Sequence, residues 1–205
     1  MTLTNEGLKR LVATGTITLK DYEYLKNAVY HTQNILVVGA CGSGKTTFLE
    51  ALVGCIPEES TVALLQRQPG IIVERDNILH YEQHTGDFGD ILTFLLTQER
   101  PQYIALDDLE DNTATQTIRG MGQWNKVLMA SLHGKTHLEG INNLVQKAVA
   151  QRVSTETDVD IKTAVGQGLD LVVLLETTKS GRRVAKLQRV LGYTEDTDDF
   201  ELQDI

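Results

Sequence analysis

Cysteine is scarce. The 205 residues hold two, Cys41 and Cys55, too few for a disulfide framework or a four-cysteine zinc knuckle. Long apolar runs are missing as well, none approaching the ~20 residues of a membrane span. The opening MTLTNEGLKRL has no apolar stretch of the secretory kind, so the expectation is a chain made and kept in the cytoplasm. Positive charge is in deficit: 19 Lys and Arg stand against 28 Asp and Glu, a net charge of −9. That balance disfavours a polyanion as partner of the free surface, and no direct nucleic-acid binding is expected. Internal repeats and low-complexity linkers are missing too.

What is present suits one compact domain. Hydrophobic residues make up 41% and charged residues 23%, enough apolar material for a sizeable core. Leu8, Leu11 and Val12 recur at helical spacing and are closed by Gly15. Thr18 stands three residues before Asp21, a capping-box pattern, with Tyr22, Leu25, Ala28 and Val29 on one face behind it. Ile35 to Val38 reads as a buried strand, and Phe48, Leu49, Leu52 and Val53 as a helix face. Further strands are expected at Val62 to Leu65, Ile71 to Glu74, Tyr103 to Leu106 and Val127 to Leu132, with helices near 88–98 and 112–121. Thr136 and Glu139 suggest a second capping box ahead of Leu138, Ile141, Leu144, Val145 and Ala148. LDLVVLLE and RRVAKLQRVL flank TTKSG as a hairpin. Lys179, Arg182 and Arg183 then read as a solvated hairpin tip, and the acids from Glu195 to Asp204 as a solubilising tail. Strands alternating with helices predict an α/β fold with a mostly parallel twisted sheet.

The chemistry is concentrated in NILVVGACGSGKTTFLEAL, residues 34 to 52. Gly39, Ala40, Cys41, Gly42, Ser43, Gly44, Lys45 and Thr46 satisfy GxxxxGK[ST] between a strand and a helix. Glycines let successive N–H groups point inward as an anion nest, and the helix start adds its positive dipole end. Lys45 supplies a charge to the β- and γ-phosphates, the Thr46 hydroxyl suits Mg2+, and Thr47 is within reach of the α-phosphate. The loop is read as holding a nucleoside triphosphate; the motif alone does not choose ATP or GTP.

A phosphate site needs acids at a neighbouring strand end, and YIALDDLED offers them. From the residues alone, Asp107 is the metal-side carboxylate and Asp108 the catalytic one. Glu74 is a third acid, expected to end the strand IIVE. His133 follows another apolar strand, where it can sense a γ-phosphate. Its i, i+4 spacing to His137 has no third ligand nearby, so zinc is not expected there.

These landmarks resemble the motor ATPases of type II and type IV secretion systems, over about Leu8 to Tyr193. The lead-in and loop are similar to those of conjugation and tight-adherence members. IIVERD stands where they carry an acidic box, and ERPQYIALDDLED where they carry Arg-Pro-Asp, a strand, then Gly-Glu and an Arg-Gly pair. SLHGKTHLEGINNLV is similar to their second histidine box. The resemblance implies a RecA-like P-loop domain over 1–193, comprising a helical lead-in (1–33), a nucleotide-binding core (34–149) and a C-terminal hairpin region (150–193). An acidic tail (194–205) follows. It implies ATP and Mg2+ as cofactors and a homohexameric ring, peripheral on the inner face of the membrane through secretion or pilus proteins. Lys45 and Thr46 take the phosphate and magnesium roles, Thr46, Asp107 and Asp108 the metal set, and Glu74, Asp108, His133 and Arg100 the catalytic set.

The departures bear on rate. Asp108 is one methylene shorter than the family's glutamate. Gln98 and Glu110 replace arginines, Asn125 replaces a histidine, and Arg75 replaces the acidic-box aspartate. An arginine acting in trans is worth ~10³ or more in rate, so these losses predict intact binding and weakened hydrolysis. Arg75, Arg119 and Arg182 are the substitutes at hand. Family members carry an N-terminal domain over the nucleotide; here either a separate polypeptide supplies that lid or the site is more open. Two functions follow: an ATP-hydrolysing motor, or a hydrolysis-poor assembly or regulatory subunit of such a machine.

Overall fold

The computed structural model describes residues 6–82, 86–122, 127–152, 155–179 and 183–205. Two helices lead in. α1 (Glu6–Ala13) buries Leu8 and Leu11. α2 (Leu19–Tyr30) opens on the full reciprocal cap: Asp21 N donates to Thr18 Oγ1 and Thr18 N donates to Asp21 Oδ2. β1 (Ile35–Gly39) is buried at every position and runs through the glycine loop into α3 (Lys45–Val53). There follow β2 (Val62–Gln66), β3 (Ile78–Glu82), α4 (Phe88–Phe94) with a π-helical turn over Leu95–Glu99, and β4 (Tyr103–Leu106). Then come α5 (Asp111–Met121), β5 (Val127–His133), α6 (His137–Ala150), α7 (Asp158–Gly168), β6 (Leu171–Thr177), β7 (Arg183–Thr194) and β8 (Asp199–Asp204).

The strands form one sheet in the order β3-β2-β4-β5-β1-β6-β7-β8. The first six are parallel; β7 and β8 return antiparallel. Alternate residues serve two cores. Leu36 and Val38 pack with Leu92, Ile118, Leu144 and Val165 on one face. Ile35 and Val37 pack with Leu8, Leu25, Leu49 and Leu52 on the other. Cover on both faces is why these strands read as continuous apolar runs. β1 lies between β5 and β6, so its carboxyl end opens at the point where connections diverge to either side.

Four sequence expectations change. The IIVE run is not a strand: the edge strand is β3, and Ile71 to Glu74 belongs to the loop before it. The Gln66 side-chain oxygen accepts from Gly70 N (3.1 Å) and Ile71 N (2.9 Å), so this backbone is met by a side chain rather than by a ladder. Ile71 is buried while Ile72 is 77% exposed. The acidic tail is likewise no loose end: Asp199–Asp204 pairs with β7 as β8, burying Phe200. α7, missed in sequence, starts on a Thr157–Asp160 capping box. The second expected box is only half formed: Thr136 Oγ1 accepts from Glu139 N, but Glu139 Oε2 accepts from Lys135 N instead of the cap residue.

At the entry to β1, Asn34 spends its whole amide. Nδ2 donates to Gly168 O (2.7 Å) and Met121 O (3.2 Å), and Oδ1 accepts from Leu128 N (2.8 Å). Its backbone N donates to Asp170 Oδ2 (2.7 Å). Asn34→Ala strands these buried partners and is expected to cost about 3 kcal/mol, read as a lowered urea midpoint at unchanged m-value.

Half-buried Asp170 has its carboxyl pushed above the usual 3.8, because burial outweighs the Asn34 N–H bond and the attraction of Arg189. Between 3.8 and the raised value the folded state holds more protons than the unfolded one, so stability falls as pH rises through that window. Asp170→Asn keeps an acceptor and removes the titration. Its stability relative to the parent is expected to rise across that window and then level off, checked by urea midpoints at stepped pH.

Candidate functional site

The loop closes on Gly44, which begins α3 in the left-handed region at φ 98°. A side chain there would be strained and would meet Arg183, whose Cδ lies 3.2 Å from the place of a Cβ. Lys45 Nζ folds back over the loop, donating to Gly39 O (3.1 Å) and Ala40 O (3.2 Å). Ser43 is buried beneath it, its Oγ without a hydrogen-bond partner among the described residues. Cys41 is exposed on the loop. Cys55 is buried elsewhere, its thiol pushed up to about 12 by desolvation, and is inert.

The expected metal-side residues meet. Thr46 Oγ1 donates to Asp107 Oδ2 at 2.8 Å, joining the start of α3 to the end of β4. Ser131 in β5 completes the contact: its Oγ donates to Asp107 Oδ1 (2.8 Å) and accepts from Asp108 N (2.8 Å). Ser131 was missed; its signal was a hydroxyl inside the otherwise apolar VLMASL. Asp108 lies one residue further on, exposed and left-handed at φ 63°, a conformation that aspartate tolerates better than most side chains.

His133 is exposed at the end of β5, in register with Gly39. His137 points elsewhere: its Nε2 lies 2.9 Å from Lys186 O, and burial lowers its pKa below the usual 6.5. Among the described residues no three side chains of metal-binding type are grouped. Glu74, though not on a strand, shares the wall of a groove of ≈ 1320 Å³ with Ser43, Gly44, Thr47 and Arg183.

The arginines are disposed otherwise than the sequence suggests. Arg100 ends the π-helical turn at the amino end of β4, away from Asp107, with Nε donating to Thr97 O (3.1 Å). The structure does not bring it to the loop of its own subunit. The Arg75 guanidinium is taken up by four carbonyls, among them Pro57 O (2.7 Å) and Ser60 O (2.9 Å). Arg119 pairs with Glu156 at 3.0 Å. Glu110 caps α5 and pairs with Arg67, at the end of β2. Asn125 and Arg182 lie outside the described residues. Arg183, expected at a solvated tip, is exposed but leans on the glycine loop, donating from Nη2 to Gly42 O (3.1 Å).

Ser131→Ala frees Asp107 and leaves Asp108 N without its acceptor. The expected cost is about 1–2 kcal/mol in denaturant titration, with the sheet otherwise intact by circular dichroism.

Residues 4–85 match a family described as an uncharacterised conserved protein. The chain is 25% identical over 175 residues to the conjugal transfer protein TrbB of Rhizobium radiobacter, covering 82% of this chain and 52% of that protein. It is 26% identical over 177 residues to the type IV secretion system protein VirB11 of Bartonella quintana, covering 82% and 49%. Among solved structures, the VirB11 ATPase of the Brucella suis type IV secretion system, in complex with sulphate, matches with TM-score 0.72 at 20% identity. That match covers 100% of this chain and 55% of the other. The chain thus spans about half the length of the curated relatives it matches. The mostly parallel, helix-flanked sheet is the RecA-like fold of the secretion ATPases. In sequence the chain is similar to conjugal-transfer and type IV secretion system proteins, and in fold to a type IV secretion ATPase.

Proposed function

We propose that the chain binds ATP with Mg2+ on residues 39–47 and hydrolyses it within a ring, as a motor of a secretion, conjugation or pilus system. The observation that carries this reading is the 2.8 Å bond between Thr46 Oγ1 and Asp107 Oδ2. A glycine turn with no ligand has no use for a carboxylate against the first hydroxyl of its helix. A magnesium–phosphate site has, because Mg2+ takes hard oxygen donors, and these two fit it.

The roles follow from placement. Amides at the start of α3 face an anion, aided by the helix dipole. Lys45 exchanges Gly39 O and Ala40 O for phosphate oxygens. Asp107, fixed by Ser131, orients Thr46, and Asp108 receives the proton of the attacking water. Mg2+, when bound, neutralises charge shared between the β- and γ-phosphates. Glu74 and His133 flank the phosphates from the groove wall and from β5. The relatives' names support placement in a conjugation or type IV secretion machine. Sulphate in the VirB11 crystal supports an anion site in this fold. Membrane placement would come through partner proteins, since among the described residues no helix is long and apolar enough to cross a bilayer.

A second reading, nucleotide binding with little turnover, draws support from the arginines. Arg75 is committed to carbonyls, Arg119 to Glu156, and Glu110 stands against Arg67. Binding would then survive while stabilisation of the transferred phosphoryl is lost.

Calorimetry with Mg·ATP and phosphate release at rising protein concentration, with oligomer mass measured alongside, separate these readings. The motor is expected to gain rate per subunit as rings form, to lose binding in Lys45→Ala, and to lose at least ~10²-fold in turnover in Asp108→Asn. Near-zero turnover in a confirmed hexamer that still binds ATP leaves the binding subunit. No uptake by folded protein at millimolar ATP overturns both.

A further inference from the structure

We infer that Arg183 is a phosphate-binding arginine, delivered by the C-terminal hairpin to the nucleotide loop of its own subunit. The inference rests on the reading of residues 39–47 as a polyphosphate loop.

Topology puts the residue there. β6 runs parallel beside β1, with Leu175 opposite Gly39, so both end at the loop. β7 returns antiparallel, and its first residue, Arg183, stands opposite Thr177 at that same end. An antiparallel return begins where its partner finishes, so a cation opening β7 is carried to the carboxyl ends of the parallel strands. The side chain then crosses to the loop. Nη2 reaches Gly42 O at 3.1 Å, and Cδ, Nε and Cζ lie 3.2, 3.3 and 3.6 Å from where a Cβ of Gly44 would be. The guanidinium thus borders the first peptides of α3 and the groove that Ser43, Thr47 and Glu74 line.

Its charge is also uncommitted. Arg67, Arg119 and Arg152 each pair with a carboxylate, on Glu110, Glu156 and Asp158. Among the described residues Arg183 meets a single neutral carbonyl. A guanidinium on an uncharged acceptor beside an anion nest gains by exchanging that acceptor for phosphate oxygens, which it can take two at a time. Amides of such a loop cradle the α- and β-phosphates. The arginine bordering them therefore serves a diphosphate as well as a triphosphate, and acts on binding more than on transfer of the γ-phosphoryl.

The test compares ATP and ADP dissociation constants by calorimetry for the parent, Arg183→Gln, Arg183→Lys and Lys186→Ala. Glutamine keeps a donor for Gly42 O and removes the charge; lysine keeps both. Lys186 is the control, a cation of the same strand paired with Glu176 at 2.9 Å. Arg183→Gln is expected to weaken ATP and ADP alike by about tenfold, Arg183→Lys by about threefold, and Lys186→Ala by less than twofold. Melting midpoints should not change, because Arg183 is exposed. Steady-state turnover should show KM raised and kcat within about threefold of the parent. An Arg183→Gln protein that binds ATP like the parent overturns the inference and leaves Arg183 a brace for the loop. A loss confined to ATP, with ADP unaffected, overturns it too. Should the folded parent take up no ATP, the reading of the loop fails first and the inference falls with it.

Discussion

A parallel strand covered on both faces has no room for an unpaired polar group along its length, so polarity is driven to its two ends. That constraint organises this molecule. β1 is buried at all five positions, and the polar chemistry around it collects before Ile35 and after Val38. At the entry, Asn34 gathers the ends of α5 and α7 and the start of β5 in one amide. At the exit, Asp107 gathers the start of α3 and the end of β5 in one carboxylate. Both are junctions of several elements, but they differ in chemistry. The amide is saturated and neutral, which suits a permanent joint. The carboxylate is charged and held by two hydroxyls, which suits exchange of partners.

The same division explains where charge is useful. On the proposed reading, a polyphosphate would bring several negative charges to a loop whose own lysine lies folded against two carbonyls. Several arginines are engaged before any ligand arrives: Arg67 with Glu110, Arg119 with Glu156, Arg75 with four backbone carbonyls. Burial also pulls the Arg75 guanidinium below its ordinary range, against the attraction of Glu58 and Glu59. Cationic density at the exit is thus set by a few unpaired groups, not by the overall composition, which is acidic.

Much of the fold was legible because local and global signals agreed. β1, β2, β4 and β5 read as apolar runs since both their faces are covered, and Thr18 with Asp21 formed the cap that their spacing promised. The glycine loop and the paired aspartates were legible for a different reason: their chemistry is local in sequence. Failures came where partners are distant or patterns mixed. Ile71 to Glu74 had the β-branched composition of a strand, but Gln66 captured its amides, and the exposed edge went to the less apolar ILHYE. Phe200 and Leu202 gave too short an alternation to outweigh the acids around them, so β8 read as a tail. The places of Arg183 and Ser131 beside the loop and Asp107 were invisible because they depend on β6, β7 and β5 arriving at one sheet end. Of the candidate site, the glycine loop and the neighbourhood of Thr46 and Asp107 were legible, and the arrangement of cations was not.

The stretch between β2 and β3 has a mechanical consequence. Side chains of Gln66, Arg75 and Asn77 hold it by hydrogen bonds, whereas the strands on either side are secured by a ladder. Ile71 holds the stretch to the core, so only the backbone beyond it rests on those few bonds, and their loss leaves the register of Val62 on Ile78 in place. Polar bonds of this kind open at lower free energy than a buried ladder. Glu74, one of the acids that line the groove, sits beyond that anchor, on a part of the wall held by side-chain bonds rather than by the sheet.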